Sequence, residues 1–213
     1  KVVSVSPDYA ESTTSSDAWL NVKAGTDAAL AMAMGHVILK EYYIDKETPY
    51  FKEYAKEFTD MPFLVRVEDI NGAVQPGRFL NAKDLGRQEE GADFHMVLID
   101  EITNEIVIPN GTMGERHTNP QKWNLRLENR DTGAKIDPRL SVFDQREDVT
   151  VVKLPYFGDE EHEGVIERAI PTITVQTVDG PVKVTTVYDL ILANYGIDRG
   201  IGGEVATSYT DDT

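Results

Sequence analysis

The sequence predicts an α/β fold: part of a doubly wound parallel sheet, carrying a long β-rich insertion that gives the chain α+β character overall. Three observations point there. Within residues 1–62 a short β-branched run, Val2-Val3-Ser4-Val5, is followed by a second extended piece and two helices. Residues 63–184 read instead as short strands separated by tight turns, and residues 185–213 return to a helix and a linker. No internal period is present, which argues against a repeat architecture.

The elements follow in order. Lys1 to Ser6 lacks polar alternation, as a strand covered on both faces does, and Pro7-Asp8 ends it. Residues 11–17 are Ser/Thr-rich and hold at most a helical turn, and residues 18–22 form the second extended piece. Ala24-Gly25-Thr26-Asp27 leads into the clearest helix, residues 28–42, with Thr26 or Asp27 as its cap. This helix is apolar nearly all round, so it is expected to be buried. Pro49 opens another helix whose Tyr50, Tyr54 and Phe58 stripe reads as core packing.

The insertion begins with a hairpin: Phe63 to Val67, the turn Asn71-Gly72, and a return through Arg78-Phe79-Leu80. Further strands are predicted at 95–99, 105–108, 122–127, 149–154, 173–178 and 182–186, with Asp179-Gly180 joining the last two. The closing helix, 188–195, stops at Gly196. A lone βαβα opening cannot close a doubly wound sheet, because parallel strands need covered faces and several partners. The remaining strands are therefore expected in flanking polypeptide, and an opening at Lys1 rather than Met agrees with that expectation.

Charge and composition narrow the function classes. Lys plus Arg is 21 and Asp plus Glu is 37, so the net charge of −16 over 213 residues is of the wrong sign for gripping a phosphate backbone. Nucleic acid is disfavoured as a partner. Cysteine is absent, which excludes disulfides, thiolate zinc sites and cysteine-ligated iron-sulfur clusters from these residues. The longest apolar run, 28–39, is interrupted by Gly35 and His36 and is shorter than the roughly 18 to 20 residues a spanning helix needs, so no direct membrane insertion is expected.

The residues best placed for chemistry are Ser6, Pro7 and Asp8 at the end of the first strand, with Gly25, Thr26 and Asp27 at the start of the first long helix. In open α/β sheets ligands sit outside the carboxyl ends of strands. An Asp carboxylate accepts two parallel hydrogen bonds from an edge such as guanine's ring N–H and 2-amino group, and a Ser or Asp there meets ribose hydroxyls. The same residues also read as a strand exit, a turn glycine and a helix cap, and spacing alone leaves both readings open. His36, His95, His117 and His162 show no metal-ligand spacing. The acidic run from Gly158 to Glu163 lacks the alternation of a calcium loop and reads as a solvated loop. Gly196, Gly200, Gly202 and Gly203 follow a helix rather than precede one, and read as a flexible connection. Hydrolase elbows, zincin motifs and Walker motifs are absent.

A resemblance adds to this reading. Val2-Val3-Ser4-Val5-Ser6-Pro7-Asp8-Tyr9, Ser16-Asp17-Ala18-Trp19-Leu20 and the run from Lys23 to His36 resemble one stretch of the molybdopterin oxidoreductases of the dimethyl-sulfoxide-reductase type. The match narrows, within that family, toward the catalytic α subunits of membrane-bound respiratory nitrate reductases. It does so at residues 58–65, Gly77-Arg78-Phe79-Leu80, Trp123-Asn124-Leu125, Pro155-Tyr156-Phe157-Gly158, Thr185 to Leu190 and Ala193 to Gly196. The resemblance spans nearly the whole chain.

It implies that residues 1–62 are a partial dinucleotide-cofactor-binding segment, with Ser6, Pro7 and Asp8 near ribose and guanine, and Gly25, Thr26 and Asp27 at the helix start. Asp27 is the best candidate for the base edge. The implied cofactor is molybdenum bis(molybdopterin guanine dinucleotide), and the iron-sulfur cluster and the metal's protein ligand lie outside these residues. No residue here is implied as catalytic. The implied partners are an iron-sulfur β subunit and a membrane cytochrome b subunit, which hold the enzyme at the cytoplasmic face of the membrane. The chain alone is expected to be inactive, and exposed strand edges invite a homodimer. Two alternatives stand beside this: a docking segment for the iron-sulfur subunit, with the β-rich middle as its surface, and the same segment of a selenate, chlorate or hydrocarbon-oxidising relative.

Overall fold

The computed structural model describes residues 1–110, 126–155 and 164–203. His117, His162, residues 122–125 of one predicted strand, and the acidic run from residue 158 to 163 lie outside the described residues, as do two of the resemblance motifs in whole or in part.

The chain opens with β1 (Val3–Val5), the single turn α1 (Glu11–Thr14) and β2 (Ala18–Leu20). β1 and β2 pair in parallel, with Val3 opposite Ala18 and Val5 opposite Leu20. Next comes α2 (Asp27–Ile38), which runs on without a break into a π-helical segment, Leu39–Asp45. The wider turn lets Leu39 and Tyr43 both reach the core, where each is buried. α3 (Pro49–Phe58) follows, with Pro49 in its first turn.

β3 (Leu64–Ile70) and β4 (Ala73–Phe79) form the predicted hairpin. Its turn residues, Asn71 at φ 58° and Gly72 at φ 82°, have the paired positive φ of a type I′ turn. Two short antiparallel pairs follow: β5 (Leu98–Ile99) on β6 (Ile106–Val107), and β7 (Pro109–Asn110) on β8 (Arg126–Asn129). β9 (Asp148–Pro155), β10 (Val165–Thr177) and β11 (Gly180–Thr186) complete the main sheet. Its order is β4-β3-β11-β10-β9, antiparallel throughout, and the outer strands β4 and β9 approach each other so that the sheet curls. The last helix is α4 (Val187–Asn194).

α4 joins the two halves. Tyr188 and Leu192 pack with Leu39, Tyr43, Ala55, Leu140 and Ile197, while Ala193 packs with Val152, Leu154, Ile166 and Ile170 beneath the sheet. Leu192 is fully buried, worth about 1.5–3 kcal/mol relative to exposure. A separate core gathers Leu64, Leu80, Val97, Ile108 and Val184.

Several expectations are corrected. β1 and α2 are not buried: Val3 and Val5 stand exposed, as do Met34, Val37 and Ile38, and the buried member of α2 is His36. A two-stranded sheet is too narrow to cover an all-round apolar helix. Tyr50, Tyr54 and Phe58 do not pack in the core either. They stack along the outside of α3, with ring centroids 6.5 and 5.2 Å apart, while Ala55 takes the buried face. β10 begins at Val165 rather than residue 173, because Glu167, Arg168 and Pro171 hid a strand whose first half pairs with β9 and whose second half pairs with β11. The glycine-rich connection after α4 is pinned: Gly203 bridges Arg168, and a Cβ on Gly203 would meet the Ala169 backbone nitrogen at 2.6 Å.

Candidate functional site

The amide of Ser6 donates to the carbonyl of Leu20 at 3.2 Å, extending the β1–β2 pairing past both strand ends. Because the strands are parallel, Ser6-Pro7-Asp8 and the turn that leads into α2 both leave from the same edge of the pair. The Asp8 amide donates to Ser6 Oγ at 3.2 Å, which makes the strand exit a tight polar turn. Pro7 and Asp8 are exposed, and Ser6 is half-buried.

The second group is set by backbone conformation. Gly25 takes φ 84°, the left-handed region that suits glycine, and a Cβ placed there would meet nothing within 4 Å. Thr26 occupies the N-cap position of α2 without capping it: its hydroxyl donates instead to the Lys23 carbonyl at 2.6 Å. Among the described residues the first-turn amides of α2 therefore have no side-chain acceptor, and a helix N-terminus in that state attracts anions. Asp27, exposed in the first turn, complements the helix dipole. Ser6, Pro7 and Asp8 thus leave the carboxyl end of β1, Gly25, Thr26 and Asp27 follow β2 by way of residues 21–24, and the hydrogen bonds within each group are local.

The exposed carboxylates and the Ser6 hydroxyl can accept hydrogen bonds from a polar ligand, and the uncapped helix start can donate to one. Sequence reasoning passed over one feature of the same edge. Tyr9 and Trp19 form an edge-to-face pair with centroids 5.3 Å apart at 78°, and the Trp19 indole N–H donates to the Ser6 carbonyl at 2.9 Å. The signal was present in the sequence, since Tyr9 directly follows Asp8 and Trp19 lies in the neighbouring strand.

A cavity of about 570 Å³ opens elsewhere, between the π-helical segment, α3 and the loop before β9. Its lining cations are already matched: Lys52 with Glu47 at 2.5 Å, Lys56 with Asp137 at 2.5 Å, Arg139 with Glu101 at 2.5 Å, and Arg199 with Asp189 at 2.7 Å. Burial, with the Asp189 charge adding to it, pushes the Tyr188 phenol well above its usual range, so this tyrosine stays neutral. The cavity is a seam between packed elements, held by neutralised pairs. Among the described residues no group of three or more His, Asp or Glu side chains is arranged to hold a metal ion. His36 and His95 are buried, and no described helix is long and apolar enough to cross a membrane.

The parallel β1–β2 pair and the curled antiparallel sheet make this a mixed α/β segment, and comparison with known proteins gives its family. The molybdopterin oxidoreductase family model matches residues 1–188, and the chain belongs to that family. Within it, the chain is 48% identical over 211 residues to the nitrate reductase alpha chain of Bacillus subtilis (strain 168), covering 99% of this chain and 17% of that protein. It is 42% identical over 224 residues to respiratory nitrate reductase 1 alpha chain of Escherichia coli (strain K12), covering 99% of this chain and 18% of the relative. The perchlorate reductase subunit alpha of Dechloromonas aromatica (strain RCB) matches at 35% over only 54% of this chain. The chain thus spans about one sixth of the length of the curated relatives it matches end to end.

Proposed function

We propose that this chain is part of the catalytic α subunit of a respiratory nitrate reductase and supplies part of the cradle for one molybdopterin guanine dinucleotide. The observation that carries the proposal is the parallel pairing of β1 and β2, with Ser6, Pro7 and Asp8 leaving the carboxyl end of β1 and the chain leaving β2 toward Gly25, Thr26 and Asp27 at the uncapped start of α2. Asp27 accepts from the base edge, Ser6 and Asp8 take ribose hydroxyls, and Gly25 and Thr26 shape the turn. The redox chemistry, nitrate to nitrite with quinol electrons relayed through iron-sulfur clusters, belongs to the molybdenum centre of the whole subunit. This chain's residues bind and orient the nucleotide end, and none is assigned a catalytic role.

Two features support a larger assembly. The exposed apolar faces of β1 and α2 fit a doubly wound sheet continued by other parts of the subunit, which leaves residues 63–184 as an insertion and 185–213 as a return. The similarity to alpha chains fits an iron-sulfur β subunit and a membrane cytochrome b subunit as partners, with the enzyme peripheral at the cytoplasmic face. Alone, the chain is expected to be inactive. The end-to-end match with nitrate reductases, against a partial match with a perchlorate reductase, favours nitrate over related substrates.

The exposed aromatic stripe of α3 favours a second role in assembly with the iron-sulfur subunit. Substituting Asp27→Ala in the full-length subunit separates the two. Loss of molybdenum and guanine nucleotide with subunits still assembled supports the cradle, whereas retained cofactor with lost assembly supports docking.

A further inference from the structure

We propose that Tyr9 and Trp19 form an aromatic wall that stacks on the purine base held at the β1–β2 edge. The proposal rests on the cradle reading above and deepens it by naming the residues that grip the base's π-face. Tyr9 is 64% exposed and Trp19 37%, although each ring carries a large apolar surface that water does not favour. Their placement is built. The indole is fixed by its hydrogen bond to the Ser6 carbonyl, and the Ser6 hydroxyl in turn accepts from the Asp8 amide. Tyr9 follows Asp8 in the chain and meets the indole edge-to-face, so the two rings and the polar turn form one contiguous cluster.

An edge-to-face pair leaves a ring face free, and a purine has both faces for stacking and an edge for hydrogen bonds. Asp8, next to Tyr9 in the chain, and Asp27, in the first turn of α2, supply carboxylate acceptors for an N–H edge. An apolar peptide segment would use the rings and leave those carboxylates without a role. The combination of ring face and carboxylate therefore selects a base with paired donors, as guanine has.

The test measures binding of guanosine diphosphate to the cofactor-free full-length subunit by equilibrium dialysis, together with guanine nucleotide released per subunit from the loaded enzyme. Tyr9→Ala and Trp19→Ala are each expected to weaken guanosine diphosphate binding roughly five- to a hundredfold, as loss of a stacking partner does. Tyr9→Phe keeps the ring and is expected to bind as the unaltered subunit does. If Trp19→Ala fails to fold, the Tyr9 variants decide the matter, since that side chain is largely exposed. Unchanged affinity in Tyr9→Ala while Asp27→Ala binds weakly would overturn the wall and leave the cradle standing. Unchanged affinity in all of these variants would overturn both.

Discussion

Arg199 reaches back to the fully buried carboxylate of Asp189 and donates to it at 2.7 Å. The same carboxylate accepts from the Ser141 hydroxyl at 2.6 Å, the Val142 amide at 2.9 Å and the Thr186 hydroxyl at 2.9 Å. The guanidinium also lies over the Phe143 ring, 4.8 Å from its centroid. Three separate stretches of chain are tied at one point beside α4.

Removing one partner of a buried pair leaves the other charge without compensation. Arg199→Ala is expected to cost about 3–5 kcal/mol in urea denaturation of the chain. Lys52→Ala, which breaks the more exposed pair with Glu47, is expected to cost less than about 1 kcal/mol. Equal losses in the two variants would mean that burial does not govern these pairs.

Two threonines at helix starts give a second contrast. Thr186 caps α4, accepting from the Asp189 amide at 3.1 Å, whereas Thr26 bonds Lys23 and leaves α2 uncapped. Thr186→Ala is expected to lower stability by about 1–2 kcal/mol and Thr26→Ala by a few tenths at most, as read by thermal denaturation. A costly Thr26→Ala would show that its hydroxyl caps after all.

Gly35 marks a close approach between α2 and the end of α4: a Cβ there would lie 2.4 Å from the Tyr195 ring. Alanine improves helix propensity by up to about 1 kcal/mol but overpacks this contact by about 1–3 kcal/mol. Gly35→Ala is therefore expected to destabilise the chain, and Tyr195→Ala in the same molecule to relieve most of that loss. A double-mutant cycle showing no coupling would contradict the contact.

Acid should loosen the β-rich part. Burial raises the Asp84 carboxyl, but Arg78, the Asn81 amide and the Arg66 charge outweigh it, so its pKa lies below the ordinary 3.8. Asp100 is likewise held low, because the amides of Asp137, Ile102 and Thr103 and the Thr103 hydroxyl outweigh its burial. A depressed folded-state pKa means that this stabilisation is fully present above the ordinary value and is lost as pH falls through the folded one. Urea midpoints are expected to hold from pH 7 to about 5 and drop below about 4. Asp84→Asn is expected to start lower at pH 7 and fall less steeply, and parallel curves for the two proteins would refute the assignment.

Much of the local architecture was legible in the sequence because short-range chemistry dictates it. Asn71-Gly72 made a type I′ hairpin since both positions need positive φ, Pro49 began α3, and Gly196 at φ 68° ended α4. The positions of the candidate residues were legible too: a β-branched run closing in Ser6-Pro7-Asp8 ends β1, and Gly25 precedes the long α2. The contact of Tyr9 with Trp19 was not, because the two are apart in sequence and only parallel pairing sets their rings together.

Burial could not be read from the chain in the same way. The apolar α2 reads as buried and lies exposed, the Tyr50, Tyr54 and Phe58 stripe reads as core and faces outward, and the charged start of β10 hides a strand with Arg168 only 4% exposed. Composition and periodicity determined which elements form, since those depend on neighbours a few residues away. Which faces are covered depends on what stands opposite in space, and that was decided by the curl of the sheet and by α4 wedged between it and the helices.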